Sequence, residues 1–102
     1  MIGSWNGYTL LVDASFTIVD TYNSFATVAD SGDFSGSDKY GPFIGTFNSG
    51  NTVYGRWQGT FQNNTTSGSV SVFMTADKTF VASWACDGTG FPEGCSFSSW
   101  GK

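Results

Sequence analysis

Apolar and polar residues alternate along much of the chain, most clearly between Thr52 and Phe61. One parity of this segment holds Val53, Gly55, Trp57, Gly59 and Phe61. The other parity holds Thr52, Tyr54, Arg56, Gln58 and Thr60. Successive side chains of a β-strand point to opposite faces. The segment therefore predicts a half-buried strand with Trp57 on the inner face and Arg56 on the outer face.

Several other segments follow the same rule. Alternation or strand-type composition is found in residues 3–8, 14–20, 43–47, 68–75, 79–86 and 95–100. Residues 48–51 read Asn-Ser-Gly-Asn, which is typical of a tight hairpin turn. Residues 21–29 are compatible with a strand or a short helix, and their Thr, Tyr, Val and Phe content favours the strand. Residues 30–38 are rich in Gly, Ser and Asp and are predicted to form a loop.

About eight strands with short turns predict one all-β domain over residues 1–102. Sequential neighbours usually pair, so we expect an antiparallel up-and-down barrel, which removes the free sheet edges. A flattened β-sandwich is the alternative. The residues expected inside are Trp5, Phe43, Phe47, Trp57, Phe61, Val70, Val72, Met74, Phe80 and Trp84.

Charged residues are scarce, at 12% of the chain, and the formal net charge is −4. The four positive residues are dispersed at Lys39, Arg56, Lys78 and Lys102. Nucleic-acid binding needs clustered cations that displace counterions from phosphates, so it is not expected here. No apolar run approaches the ~20 residues of a membrane-spanning helix.

The two cysteines, Cys86 and Cys95, flank a turn-rich segment. An even, local pair between strand-like segments predicts a disulfide that closes a hairpin, with two free thiols as the alternative. A disulfide would indicate a secreted or periplasmic protein, although no signal peptide is visible in this sequence.

Catalytic and metal-binding patterns are weak. The chain has no His, which excludes His-based triads and His–metal sites. Most carboxylates occupy predicted turns, where Asp is expected for local hydrogen bonding. Asp30, Asp33 and Asp38 offer oxygen ligands, but their spacing does not match an EF-hand. We expect no enzyme activity, no metal and no cofactor.

The Gly3-Ser4-Trp5 sequence resembles the G-x-W motif in the first strand of calycin barrels, the group that includes lipocalins and avidins. The resemblance covers three residues and the architecture. It implies that Trp5 packs across one barrel end with a basic residue from another strand lying over it. The chain departs from the lipocalin pattern because its last strand holds no Arg, and Lys102 is terminal.

The function predicted on this basis is non-catalytic binding of a carbohydrate or a small apolar molecule. Sugar binding would use exposed aromatic and polar groups, for which Tyr54, Arg56, Gln58 and Tyr8 are the candidates. The same groups are also compatible with simple decoration of the outer sheet. A small apolar ligand would instead need an open barrel interior, which the many inward rings tend to fill. A structural protein that acts as a homo-oligomer is the alternative, because few surface charges oppose association.

Overall fold

A computed structural model describes residues 2–13, 15–48, 54–61, 64–85 and 96–102 of the chain. These residues form an antiparallel, closed, eight-stranded barrel. The strands are β1 (Gly3–Val12), β2 (Ile18–Val28), β3 (Asp33–Asp38), β4 (Gly41–Phe47), β5 (Tyr54–Phe61), β6 (Asn64–Ala76), β7 (Thr79–Trp84) and β8 (Ser96–Gly101).

Each strand pairs with the next one along the chain, and β8 returns to pair with β1. In that closing pair, Gly7 lies opposite Trp100 and Leu11 lies opposite Ser96. The direct β1–β8 pairing makes the sheet a barrel rather than a flattened sandwich. The predicted all-β, up-and-down architecture is confirmed.

The first third of the chain differs in detail from the sequence prediction. Residues 18–28 form one long strand, so the preference for strand over helix at residues 21–29 is confirmed. The assignment of residues 30–38 to a loop is wrong, because Asp33–Asp38 is β3. Gly, Ser and Asp have little strand preference of their own. The strand forms here because its backbone pairs with β2 on one side and β4 on the other, while Phe34 fills the interior.

A continuous set of aromatic rings occupies the barrel interior. Trp84 is central to it, with ring centroids 5.9 Å from Trp57, 5.7 Å from Phe43 and 6.1 Å from Phe34. Offset and edge-to-face pairs of this kind add to the free energy gained by burying the rings. Most of the residues predicted to face inward are buried or half-buried. Among those whose side chains the structure describes, Met74 is the exception at 39% exposure, because the β6–β7 register shifts just after it, close to the turn.

Inward glycines make room for these rings. A Cβ atom placed on Gly45 would lie 2.1 Å from Cζ of Phe34 and 2.4 Å from the carbonyl oxygen of Arg56. No side chain fits at such separations. The alternation of Gly with large rings on the inner face therefore follows from the narrow, strongly curved barrel.

The barrel has two ends of different construction. The closed end is where β1 begins and β8 finishes, and it contains Trp5, Phe80 and Lys102. The open end is where β1 finishes and β2 begins, and it contains Thr9, Tyr22, Asp38 and Thr66.

Candidate functional site

A cavity of about 70 Å³ occupies the interior at the open end. All eight strands contribute to its wall, which is lined by Thr9, Leu11, Tyr22, Ser24, Asp38, Tyr40, Gly41, Pro42, Phe43, Trp57, Gly59, Thr60, Thr66, Trp84, Ser96 and Trp100. One water molecule needs about 10–15 Å³ of cavity volume, so the cavity has space for roughly five water molecules. It therefore accommodates a small molecule, or one end of a larger one.

The indole rings of Trp57, Trp84 and Trp100 line the cavity where it meets the aromatic core, and we call them the cavity floor. Hydrogen bonds hold all three. Ser98 Oγ accepts from Trp84 Nε1 at 2.7 Å and from Trp100 Nε1 at 2.6 Å. Trp57 Nε1 donates to the carbonyl oxygens of Ser69, at 3.1 Å, and Ala85, at 3.0 Å. Since their N–H groups are satisfied by the protein, these rings present apolar surface to the cavity.

Small polar side chains line the wall between the indoles and the mouth. Thr9 and Ser24 are buried, and their hydroxyl oxygens lie 2.9 Å apart in a mutual hydrogen bond. Ser96 is buried on the neighbouring strand. These short side chains leave the space that Trp and Phe fill elsewhere in the barrel.

Asp38 brings a carboxylate to the mouth of the cavity at the end of β3. Its Oδ1 accepts a hydrogen bond from the backbone N–H of Tyr40 at 2.8 Å. Burial raises the pKa of the Asp38 carboxyl above its ordinary value, and backbone N–H groups offset part of that rise. Burial, aided by the nearby Asp38 charge, also raises the pKa of Tyr22 well above its ordinary value.

The rim beside Asp38 carries a second polar group centred on Asp20. Asp20 pairs with the Lys39 ammonium and accepts a hydrogen bond from the Tyr40 hydroxyl. These two partners hold the pKa of Asp20 below its ordinary value. The Lys39 ammonium lies 5.1 Å from the ring centroid of Tyr40 and 5.9 Å from that of Tyr22. The two tyrosine rings meet edge to face at 5.2 Å.

The closed end is sealed by Trp5, which is 1% exposed and meets Phe80 at a ring-centroid distance of 4.7 Å. Lys102, directly after β8, places its ammonium 5.1 Å from the Trp5 centroid and donates to the Ile2 carbonyl at 2.5 Å. Gly3 has a φ of +123°, a conformation that favours glycine. The sequence indicated that the last strand lacked a basic partner for Trp5, and Lys102 supplies one from just beyond it.

The ligand residues predicted from sequence do not form one site. Tyr54, Arg56 and Gln58 lie exposed along the outer face of β5, as predicted from their parity. Tyr8 is also exposed, but it lies on β1, four strands away in either direction around the barrel. The structure therefore leaves the β5 group and Tyr8 on different sides of the molecule.

The disulfide prediction concerns residues that the structure does not describe. Cys86 and Cys95 lie outside the described residues, so the disulfide and the secreted or periplasmic location stay predictions. Of the three carboxylates considered as oxygen ligands in the sequence, Asp33 and Asp38 occupy opposite ends of β3. No group of three potential metal-ligating residues occurs in the described part of the chain.

Sequence reasoning missed the polar lining of the cavity. Tyr22, Ser24 and Asp38 all lie at inward parity on β2 or β3. Extending the alternation rule through residues 18–38 would have found them, but treating residues 30–38 as a loop concealed Asp38.

The chain was compared with known families, proteins and structures. No family model, no curated protein and no solved structure matches the chain. Over the residues that the structure describes, there is no helix long and apolar enough to cross a membrane.

Proposed function

We propose that this protein is a binding domain that holds a small, mostly apolar molecule in the cavity at the open end of the barrel. The observation that carries the proposal is an indole-floored cavity inside an otherwise well-filled barrel. Ligand sites are typically concave and apolar, with a few placed polar groups that fix the orientation of the ligand.

The floor is suited to binding because it is rigid before the ligand arrives. The Trp57, Trp84 and Trp100 indoles have their N–H groups engaged by the protein. A preformed apolar wall loses little conformational entropy on binding. The resemblance to calycin barrels supports the same function, because Trp5 and Lys102 adopt the closed-end arrangement that this resemblance implies.

The proposal is tested by filling the mouth of the cavity. Thr66 lines the cavity, whereas the adjacent Thr65 is exposed on the outer face of β6. We expect Thr66→Trp to weaken the binding of 2-phenylethanol at least about tenfold, a loss of ~1.4 kcal/mol. The matched variant Thr65→Trp should stay within about twofold of the unmodified protein. Saturation-transfer NMR with a concentration series measures both affinities, and equal binding by the two variants would overturn the proposal.

Carbohydrate binding is an alternative form of the binding function, and it would use the outer face of the barrel instead of the cavity. It is favoured by the exposed row of Tyr54, Arg56 and Gln58 on β5. Aromatic faces and polar groups of this kind suit a sugar ring. Tyr54→Ala and Arg56→Ala should then abolish glycan-array signal while leaving the fold intact, and unchanged signal would reject this form.

Self-association is a second candidate function, favoured by an uncharged outer face across β6, β7, β8 and β1. Phe73 is 71% exposed and lies opposite Val81, and Phe97 and Tyr8 are exposed on the next two strands. The described outward side chains of these four strands carry no charge. A low surface charge removes repulsion between copies.

Sedimentation velocity at high protein concentration tests this second candidate. If the uncharged face joins copies of the chain, Phe73→Lys should shift the protein toward monomer. Ile44→Lys is the control, because Ile44 is also largely exposed but lies on β4, outside this face. A single monomeric species in the unmodified protein would reject self-association.

A further inference from the structure

We propose that the ligand of the open-end cavity is a small organic cation: an ammonium group attached to an apolar body, preferably a ring. The ammonium would lie at Asp38 and the apolar body against Trp57 and Trp84. This inference rests on the proposed function and adds the chemical class of the ligand.

The cavity wall holds one acidic side chain and no basic one among its described residues. Asp38 is the only Asp, Glu, Lys or Arg that lines it. Its carboxylate accepts backbone N–H groups, and no cation in the described part of the chain pairs with it. A partly buried carboxylate without a counter-charge costs free energy, as the raised pKa of Asp38 also indicates. A bound cation would offset that cost.

Aromatic surface surrounds Asp38. Tyr22 and Tyr40 line the mouth beside the carboxylate, and indole rings form the floor. Aromatic faces attract ammonium groups, and the attraction increases when the site excludes water. A carboxylate framed by aromatic rings is therefore suited to an ammonium with apolar substituents.

The rim already holds one ammonium, that of Lys39, between a carboxylate and aromatic rings. Lys39 lies over the Tyr22 and Tyr40 rings and is neutralised by Asp20. Asp20 is not among the residues lining the cavity. The two acids at this rim therefore differ in their partners. Asp20 pairs with a cation of the chain, whereas Asp38 is available to the cation of a ligand.

The experiment compares three probes of similar size and different charge. They are 2-phenylethylammonium, 2-phenylethanol and phenylacetate, titrated into the full chain at pH 7 by NMR. We expect the cation to bind about tenfold more tightly than the alcohol, which corresponds to ~1.4 kcal/mol, and the anion to bind most weakly.

Asp38→Asn should bring the affinities for the cation and the alcohol to within about twofold of each other, because the charge that distinguishes the two probes is gone. The amide oxygen can still accept the Tyr40 N–H. Asp33→Asn is the matched control, since Asp33 is at the other end of the same strand, and it should retain the full preference for the cation.

A pH series on the unmodified protein gives a readout that does not depend on any variant. Asp38, with its raised pKa, should lose its charge first on acidification, before Asp20 with its lowered pKa. The other ionisable groups of this rim, Tyr22, Tyr40 and Lys39, stay protonated throughout. The ratio of cation to alcohol affinity should therefore fall as the pH drops through the Asp38 pKa.

The outcomes separate the two proposals. Equal binding of cation and alcohol at pH 7, or a ratio that does not change with pH, overturns the cation inference and leaves the binding function standing. A full preference for the cation in folded Asp38→Asn also overturns it. No binding of any probe overturns both proposals.

Discussion

At the closed end of the barrel, Trp5 is 1% exposed, packs edge to face against Phe80 and is covered by the Lys102 ammonium. At the open end, the corresponding interior positions hold Thr9, Ser24 and Ser96 and enclose a cavity of about 70 Å³. The same eight strands build both ends. The difference lies in which side chains the inward parity provides as each strand passes from one end to the other.

Single strands show this gradient directly. On β8 the inward residues run from Ser96 through Ser98 to Trp100, that is, from small and polar at the open end to large and aromatic toward the closed end. On β2 the polarity changes rather than the size, from Tyr22 and Ser24 at the open end to Ala26 and Val28 toward the closed end. Close packing stabilises the closed end, whereas small residues at the open end leave the interior volume that the proposed function assigns to a ligand.

The largest expected effect is the loss of packing at the closed end. Trp5→Ala removes a fully buried ring and should lower the free energy of unfolding by about 3–5 kcal/mol. Urea denaturation followed by circular dichroism measures the loss. Phe73→Ala is the control, because Phe73 is 71% exposed and its replacement should cost no more than about 0.5 kcal/mol. Similar losses in the two variants would contradict the account of the closed end.

The Ser98 hydroxyl holds two indoles of the cavity floor, and its removal should cause the next largest loss in the free energy of unfolding. Ser98→Ala leaves the Trp84 and Trp100 indole N–H groups without their acceptor, which should cost about 2 kcal/mol. The adjacent Ser99 is exposed on the outer face, so Ser99→Ala should change the free energy of unfolding little. If the two variants unfold at the same urea concentration, the Ser98 hydroxyl does not have this role.

A smaller effect is expected from the cation over Trp5. Lys102→Met keeps much of the length of the side chain but removes its charge, and should cost about 0.5–1 kcal/mol. Lys78→Met is the control: Lys78 lies in the β6–β7 turn, so this variant shows whether the loss of any positive charge lowers the stability. Differential scanning calorimetry compares the unfolding midpoints, and the Lys102 variant should have the lower one. Equal midpoints would mean that the cation over Trp5 adds nothing.

The smallest effect concerns Asp20 at the rim of the open end. Its pKa is lowered by Lys39 and Tyr40, so its ionised form stabilises the folded state above the ordinary pKa of 3.8. That contribution is lost as the pH falls through the lowered pKa. Asp20→Asn should therefore lower the unfolding midpoint at pH 7, with the difference disappearing in strong acid. A difference of the same size at both pH values would contradict this assignment.

The barrel could be predicted from the sequence because alternation is a local signal. Trp57 and Arg56 are adjacent in the chain, and parity alone places Trp57 inside and Arg56 outside, as the structure confirms. The total of about eight strands also agrees. Two differences cancel in this total. The sequence predicts two strands over residues 14–20 and 21–29, where the structure has β2 alone, and it predicts no strand at β3.

The cavity could not be predicted in the same way, because it depends on contacts between distant parts of the chain. Residues 33–38 become a strand only when β2 and β4 pair with them, and that pairing brings Asp38 to the cavity mouth. Lys102 reaches Trp5 only because β8 closes the barrel beside β1. Neither contact leaves a signal in a local window of sequence.

We propose a barrel that is sealed at Trp5 and open to a ligand at Trp57 and Trp84. The chain has four Trp residues, so its ¹H–¹⁵N spectrum contains four indole N–H signals that report separate positions. On titration with 2-phenylethanol, the Trp57 and Trp84 signals should move while the Trp5 signal stays in place. Movement of the Trp5 signal to the same extent as that of Trp84, or no movement of any indole signal, would contradict the claim.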